Sequence, residues 1–167
     1  SRPRVDVVLV GRVALGEQVG AQPPRAGLGR AAALALAEAG ADVVLISRTP
    51  AELEEVATRI SEIGPSAQVI ACDITEPDAV NAALFKPERV NILVNNAGTN
   101  VPEPFVEVSL AHYDRIMDLN VKALFMASQA AARRMIEAGR GGSIINMSSQ
   151  MGHVLSLIPI SEPPSQR

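Results

Sequence analysis

The chain has 167 residues, of which 47% are hydrophobic and 20% charged, and its formal net charge is −3 at pH 7. This length and apolar content suit one domain with a sizeable core, and the interleaved charges exclude a basic face for nucleic acid or lipid. Cys72 is the sole cysteine, which excludes an internal disulfide, and no apolar run is long enough to cross a bilayer. Since no signal peptide is evident, we expect a cytoplasmic protein, and we expect no metal site.

Apolar runs and helix-favouring stretches alternate along the chain. Runs of Val, Ile and Leu without polar alternation are typical of strands covered on both faces, as in a parallel sheet. In chain order we predict a strand at 12–15 that reaches back as far as Val7, an irregular loop at 16–25, a helix at 30–39, a strand at 43–46, a helix at 51–63, a strand at 68–72, a helix at 77–85, a strand that opens the run 91–98, a helix at 109–138 and a strand at 143–147. This alternation predicts an α/β fold with a doubly wound parallel sheet.

Three details refine this outline. Thr49, with Glu52 three residues later, predicts a capped start for the second helix. Apolar residues on more than one face of the long helix at 109–138 suggest that it packs on its own sheet and against a partner subunit. Residues 153–167 contain three prolines and no helical or strand period, so we expect a domain at 1–152 and a tail outside it.

The start of the first helix carries the first candidate site. Gly27, Leu28 and Gly29 stand directly before an alanine-rich helix. Glycines there let a phosphate approach the backbone, and the helix N-terminus offers unpaired N–H groups and a partial positive charge to a pyrophosphate. Tight strand-to-helix geometry explains such glycines equally well, so this feature alone leaves both interpretations open.

The ends of the second and third strands carry the next candidates. Ser47 and Arg48 lie where a dinucleotide-binding fold contacts the adenosine ribose, at which an acid would bind a free 2′-hydroxyl and an arginine accommodates a 2′-phosphate. No acid is present, so Arg48 favours NADP over NAD; the alternative is a solvated surface arginine. Asp73, after the third strand, is placed either to bond an adenine amino group or to cap the next helix.

These residues, together with three later features, resemble the short-chain dehydrogenases/reductases. The resemblance covers about residues 12–152 and rests on order and spacing. Its later features are NNAG at 95–98, an asparagine at 120 within a long helix, and a strand that ends in Ser-Ser-x-x-Gly. The resemblance implies a single-domain Rossmann-like fold, a nicotinamide cofactor, and hydride transfer between that cofactor and an alcohol or carbonyl.

The resemblance also implies roles for particular residues. The phosphate-binding turn, the adenosine contacts and the segment beside the cofactor ribose would be formed by Gly27, Leu28, Gly29, Ser47, Arg48, Asp73, Ile74, Asn96, Ala97 and Gly98. Asn120 matches the helix asparagine that organises a proton-relay water, and Ser149 matches the serine that hydrogen-bonds the substrate oxygen. A hydroxyl there stabilises the charge that develops on this oxygen as hydride arrives at carbon.

The chain departs from the family pattern in two places. The family's acid/base is a tyrosine in a Tyr-x-x-x-Lys pair beyond that serine, but here the only tyrosine is Tyr113 and no lysine follows Lys122. The strands that family members carry after the fifth are also lacking, so we expect a fold incomplete at its C-terminal end, with the fifth strand as an edge. In the Thr-Gly-x-x-x-Gly-x-Gly turn, Pro23 takes the first glycine's place relative to Gly27, and proline offers no N–H to a phosphate.

The leading hypothesis is an NADP(H)-preferring short-chain alcohol dehydrogenase or carbonyl reductase whose chain, as given, is inactive. It would act on a small alcohol or carbonyl substrate, bind neither nucleic acid nor membrane, and form a homo-oligomer as the full-length parent. The alternative is a non-catalytic dinucleotide-binding or interaction module; the larger nucleotide-sugar-modifying branch of the family fits NNAG and Ser-x-x-Gly less well. We also hypothesise that residues beyond about Val154 are not native protein, which resequencing of the locus would test.

Overall fold

The structure of the chain, a computed structural model, describes residues 5–11, 27–101 and 103–149. Its strands are β1 (Asp6–Val10), β2 (Asp42–Ser47), β3 (Ala67–Ala71), β4 (Ile92–Asn95) and β5 (Ser143–Asn146). Its helices are α1 (Leu28–Glu38), α2 (Pro50–Ile63), α3 (Pro77–Phe85), α4 (Leu110–Met117) and α5 (Leu124–Glu137), with a 3-10 turn at Phe105–Glu107 and a π-helical segment at Asp118–Ala123. The strands pair in parallel in the order β3-β2-β1-β4-β5, which confirms the predicted doubly wound α/β fold.

The first strand lies earlier in the chain than predicted. β1 pairs with β2 over its whole length and with β4 on its other side. A strand in this position is covered on both faces, and each side chain from Val7 to Val10 is at most 2% exposed. The prediction favoured 12–15 and reached back to Val7, and the structure confirms the part that begins at Val7, with β1 at Asp6–Val10. Residues 12–15 themselves, and the loop predicted at 16–25, lie outside the described residues.

Helices cover both faces of the sheet. Val8 and Val10 belong to an apolar cluster that includes the buried side of α3 and α5, whereas Val7 and Leu9 belong to a second cluster with α1 and α2. Successive side chains of a strand point to opposite faces, so both sets of residues must be apolar. This two-sided burial explains why the strands appear in the sequence as unbroken apolar runs.

The strand β5 forms one edge of the sheet in the part of the chain that the structure describes. It pairs only with β4, and all four of its residues are exposed; Ile145, for example, is 44% exposed. The predicted edge strand is therefore confirmed for these residues. The tail predicted at 153–167 lies outside them.

The predicted long helix is one continuous helical run with an irregular middle. It begins after Ser109, whose Oγ accepts a hydrogen bond from the His112 N–H at 3.1 Å. Between α4 and α5 the backbone of Asp118–Ala123 winds as a π-helix, a rare form that occurs frequently at functional sites. Among the described residues, no helix has both the length and the apolar character needed to span a membrane.

The start of α2 differs from the prediction. Thr49 is the N-cap residue, but its side chain makes no capping hydrogen bond, and its N–H donates to Ser47 Oγ at 3.2 Å. Pro50 occupies the first turn of the helix, where a missing N–H costs little and the fixed φ suits a helix start. Thr49 is thus the N-cap residue, as predicted, but the capping hydrogen bond expected from its side chain is not formed.

Candidate active site

A cleft of about 620 Å³ opens at the carboxyl edge of the sheet, where doubly wound folds bind their ligands. Residues that follow β1, β2, β3 and β4 line it, together with residues of α4 and the π-helical segment. The lining consists of Gly11, Ile46, Ser47, Arg48, Thr49, Cys72, Ile74, Thr75, Ala97, Gly98, Thr99, Arg115, Asp118 and Leu119. Five of the predicted cofactor residues are among these, namely Ser47, Arg48, Ile74, Ala97 and Gly98.

Gly11 closes β1 in a conformation that other residues rarely adopt. Its φ is +134°, its N–H donates to the Ile46 carbonyl at 2.9 Å, and a Cβ at this position would lie 2.7 Å from the carbonyl carbon of Asn96. Only glycine lets the end of β1 approach the NNAG loop this closely. The sequence analysis missed Gly11, although a glycine directly after a run of apolar residues was a visible signal.

Gly11 also corrects the interpretation of the nucleotide-binding turn. It stands directly after the first strand, where the family pattern has its first glycine, so Pro23 does not occupy that place. Gly27 follows Gly11 by 16 positions, where the pattern Gly-x-x-x-Gly has four. The departure is therefore an insertion between two retained glycines. Residues 12–26 lie outside the described residues.

Gly27 and Gly29 frame the start of α1. Gly27 is the N-cap residue, Gly29 is buried, and Leu28 between them is 69% exposed. β2 begins a few residues after α1 ends, so α1 ends near the amino edge of the parallel sheet. The start of α1 therefore lies toward the carboxyl edge, where the cleft opens. The structure thus places these three residues at the helix start, as predicted, but outside the lining of the cleft.

Asp73 and Arg48 form a charged pair beside the cleft. Arg48 Nη1 lies 3.8 Å from Asp73 Oδ2, while Asp73 Oδ1 accepts hydrogen bonds from the Thr75 N–H at 3.0 Å and the Thr75 hydroxyl at 2.7 Å. The backbone and side-chain bonds from Thr75, and to a smaller extent the Arg48 charge, lower the pKa of Asp73. Glu76 is the N-cap residue of α3, so the alternative in which Asp73 caps that helix is wrong.

Asn120 joins the π-helical segment to the loop after β4. Its Nδ2 donates to the Thr99 carbonyl at 2.9 Å, and its Oδ1 accepts from the Thr99 N–H at 2.8 Å. The paired bonds hold the loop that begins at Gly98 against the helix. A Cβ at Gly98 would be 3.6 Å from Asn120 Oδ1, an ordinary contact, so the fit between loop and helix is close without being strained.

Asn95 is a site residue that the sequence analysis did not assign. It is 3% exposed, and its Nδ2 donates to Ser128 Oγ and to Asn146 Oδ1, each at 2.9 Å. Its carbonyl accepts the Met147 N–H at 2.9 Å. Asn95 therefore ties together the ends of β4 and β5 and the helix α5. The signal in the sequence was a polar residue that closes an otherwise buried strand.

Ser149 lies three residues beyond the end of β5 and is exposed. Of the two predicted catalytic residues, Asn120 contacts the segment after β4 through Thr99, and Ser149 follows β5, the strand paired with β4. Neither lines the cleft. Tyr113 lies on α4, is 51% exposed, and also lies outside the lining.

Comparison with known proteins shows the family to which the chain belongs. The family model described as short chain dehydrogenase matches residues 23–158. The chain belongs to this family. The resemblance drawn from the sequence motifs is therefore confirmed, and the short-chain dehydrogenases are oxidoreductases that bind a nicotinamide dinucleotide.

Individual relatives show how much of a family member this chain represents. It is 38% identical over 146 residues to an L-xylulose reductase of Mesocricetus auratus, covering 87% of the chain and 56% of that protein. It is 36% identical over 128 residues to carbonyl reductase [NADPH] 2 of Sus scrofa, covering 77% of the chain and 51% of that protein. A short-chain type dehydrogenase/reductase structure from Mycobacterium marinum matches with a TM-score of 0.80 and 33% identity over 92% of this chain and 59% of its own. The chain thus spans about half the length of the curated relatives it matches.

The cleft suits the adenosine half of a nicotinamide dinucleotide. Its volume of about 620 Å³ lies in the range of small-molecule sites. Ile74, Ala97 and Leu119 offer apolar surface to a base, and Arg48 and Asp73 offer a cation and an acceptor at one end. The residues present therefore fit the chemistry of this group.

Proposed function

We propose that the protein to which this sequence belongs transfers hydride between NADP(H) and an alcohol or carbonyl substrate, and that the chain as given is inactive. The observation that carries the cofactor choice is Arg48, which lines the cleft directly after β2, where the sequence Ser47-Arg48-Thr49 contains no acid. NAD-binding members of such folds bind the ribose with an acid at this point. The printed name of one relative, carbonyl reductase [NADPH] 2, supports the same choice.

The cofactor would be held by three groups of residues. Its pyrophosphate would meet the first N–H groups of α1 at Gly27, Leu28 and Gly29, where the helix dipole favours an anion. Its adenosine would lie in the cleft among Ser47, Arg48, Asp73 and Ile74, and its second ribose beside Asn96, Ala97 and Gly98. We propose these residues from the family pattern, and the cleft lining supports five of them.

Ser149 and Asn120 would serve the reaction centre. When bound, the nicotinamide supplies or accepts the hydride. The Ser149 hydroxyl would donate a hydrogen bond to the substrate oxygen and so stabilise the charge that develops there. The side-chain amide of Asn120 donates one hydrogen bond to Thr99 and accepts one from it. Its nitrogen can still donate one hydrogen bond, and its oxygen can still accept one. That capacity is what a relay water requires.

The proposed inactivity rests on the missing acid/base. A tyrosine has an unperturbed pKa of about 10, so it needs a neighbouring cation to exchange protons near neutral pH. The 167 residues contain no Tyr-x-x-x-Lys pair, and Tyr113 lies on α4, ahead of Asn120. Without this pair, the chain lacks the group that would transfer a proton to or from the substrate oxygen.

The same observation favours a second candidate, a non-catalytic dinucleotide-binding or interaction module. Both candidates predict cofactor binding, and only the enzyme predicts turnover in a longer chain. The genomic continuation distinguishes them: a following helix with Tyr-x-x-x-Lys supports the enzyme, and a verified reading frame without it supports the module.

We also propose that the full-length protein is a cytoplasmic homo-oligomer. Exposed apolar side chains recur every three or four positions along one stretch of α4, the π-helical segment and α5, namely Leu110, Tyr113, Met117, Val121 and Phe125. At this spacing they form a stripe on one side of the helical run. Such a stripe on a helix suits contact with a second copy, and gel filtration of the full-length protein would test it, since a monomer would contradict it.

The proposal is tested by separating binding from turnover. When NADPH is titrated into the purified chain, binding should change the fluorescence of the NADPH. When ketones and sugars are then added, the absorbance of the NADPH should stay constant. Measurable consumption would contradict the proposed inactivity. Extension of the chain by a continuation that carries Tyr-x-x-x-Lys should restore consumption, and changing that tyrosine to phenylalanine should remove it again.

A further inference from the structure

We propose that Arg115, on α4, is a second cationic contact for the adenosine 2′-phosphate of NADP(H), acting together with Arg48. The inference rests on the proposed NADP(H) binding and adds a specificity-determining residue that the family motifs do not mark. Arg115 comes from the helix that follows β4, whereas Arg48 follows β2, and both line the same cleft.

The charges of the cleft lining favour an anionic ligand. Its two arginines, Arg48 and Arg115, face one acid in the lining, Asp118. The charge of that acid is already offset, because Lys122 Nζ lies 3.3 Å from its Oδ1. Asp73, beside the lining, partly offsets Arg48, so the charge of the lining that is left without a carboxylate partner is that of Arg115.

Arg48 alone is a weakened phosphate contact. Asp73 Oδ2 lies 3.8 Å from its guanidinium, and the hydrogen bonds from Thr75 keep that carboxylate in its charged form. A phosphate approaching Arg48 would also approach this negative charge, which repels it. A second cation on the lining of the same cleft would offset the repulsion.

Arg115 is available for that role. Of the eight arginines in the described residues, five lie within 3.8 Å of a carboxylate, namely Arg30, Arg48, Arg59, Arg89 and Arg134. Arg115, Arg133 and Arg140 have no such partner in the part of the chain that the structure describes, and among these three only Arg115 lines the cleft. An unpaired guanidinium can bind phosphate through two parallel hydrogen bonds.

The location of the cleft selects the 2′-phosphate among the anionic groups of the cofactor. The pyrophosphate is assigned to the start of α1, where Gly27, Leu28 and Gly29 lie outside the cleft lining, while Gly11 of the same turn lies at the β1 end of the lining. The anionic group left for the adenosine end is the 2′-phosphate, which NAD lacks. Arg115 should therefore affect the choice between NADP(H) and NAD(H) more than overall affinity for adenosine.

The test uses adenosine 2′-monophosphate and adenosine as probes of the 167-residue chain, measured by titration calorimetry. Arg115→Gln should weaken binding of the 2′-phosphate about tenfold, a typical loss for a hydrogen bond to a charged group, and leave adenosine binding unchanged. Arg133→Gln removes an arginine of α5 outside the cleft and should change neither. Arg115→Lys retains the charge and should recover part of the loss. It also separates a charge effect from misfolding of the glutamine variant.

Three outcomes would overturn the inference: equal loss of both probes in Arg115→Gln, no loss of either, or a wild-type chain that does not prefer the 2′-phosphate over adenosine. These probes contain neither nicotinamide nor pyrophosphate, so they do not depend on the altered turn. A chain that prefers the 2′-phosphate but does not bind NADPH would therefore count against the proposed function and not against the role of Arg115.

Discussion

The strands β2 and β5 differ in how completely they are covered. In β2, the four residues from Val43 to Ile46 are at most 6% exposed, and helices lie on both faces. In β5, all four residues are exposed, and Ile144 and Ile145 are 37% and 44% exposed. The difference is that between an inner strand, which has a neighbour on each side, and an edge strand, from which the predicted catalytic serine extends.

This contrast indicates that binding and catalysis depend on different parts of the molecule. The cleft is lined by residues at the ends of β1 to β4, among them Ser47, Arg48 and Ile74. Ser149 follows β5, the exposed edge. Poor cover of β5 should therefore leave nucleotide recognition in place while it impairs precise placement of the reacting groups.

The largest expected effect is a difference between β2 and β5 in how much a core substitution lowers the free energy of unfolding. Leu45→Ala, at a fully buried position of β2, should lower the free energy of unfolding by about 3 kcal/mol, because it leaves a cavity in a packed interior. Ile145→Ala, in β5, should lower it by less than about 1 kcal/mol, since that side chain is already partly in water. Urea denaturation of both variants measures the difference. Equal losses would show that β5 is as well covered as β2.

The next largest effect concerns the hydrogen bonds of Asn95, which connect β4 to β5 and to α5. Asn95→Ala removes the amide that bonds Ser128 and Asn146, which leaves buried polar groups without their partner, and should cost about 2 kcal/mol. A double-mutant cycle with Asn146→Ala isolates the term for that pair, and the two single losses should not add. Simple additivity in urea denaturation would mean that the two side chains do not stabilise each other.

A smaller effect is expected on cofactor choice. Arg48→Gln should weaken NADPH binding about tenfold, or about 1.4 kcal/mol, and leave NADH binding nearly unchanged, because only NADPH carries the 2′-phosphate. Arg59→Gln, an exposed arginine on α2 outside the cleft, is the matched control. Fluorescence titration with both cofactors is the measurement, and an equal loss for NADPH and NADH would count against the proposed preference.

The smallest effect is a pH dependence at the cleft. The pKa of Asp73 is lowered from 3.8 in the folded chain, so its ionised form contributes stability at neutral pH, and that contribution is lost as the pH falls below about 4. The side chain is 41% exposed, so solvent screening limits the contribution to about 0.5 kcal/mol. Asp73→Asn should be less stable than wild type at pH 7, and the difference should be smaller at pH 3. Urea midpoints at the two pH values test this, with Asp114→Asn as a surface control.

Local patterns were enough to predict most of the fold. The helix at 77–85 was placed correctly to the residue, because Pro77 and the residues around it set its start, and the strands β2 to β5 were each located within one or two residues. No second apolar run lies close to any of these strands in the sequence. Thr49 was placed correctly at the N-cap of α2, although its side chain makes no capping bond, and Pro50 supplies a φ that suits the helix start.

The candidate site was predictable only in part. Ser47 and Arg48 were found from their place at the end of an apolar run, since strand ends share one edge of a parallel sheet, whereas Ile74, Ala97 and Gly98 came from the family resemblance. Asn95 and Gly11 were missed because their importance lies in contacts with segments distant in sequence. Arg115 was missed for the same reason, since nothing in a helix sequence shows which of its charged side chains lines a cleft.

The sequence by itself determined the alternation of strands and helices, the motif order that identifies the family, and the absence of a Tyr-x-x-x-Lys pair, since all three depend on neighbouring residues or on residue identity. The tertiary structure decided where the first strand lies. Asp6–Val10 pairs with β2 on one side and with β4 on the other, which fixes its register and buries it on both faces. Pairing between strands and packing on both faces are long-range interactions, and they select among local alternatives that propensity leaves equal.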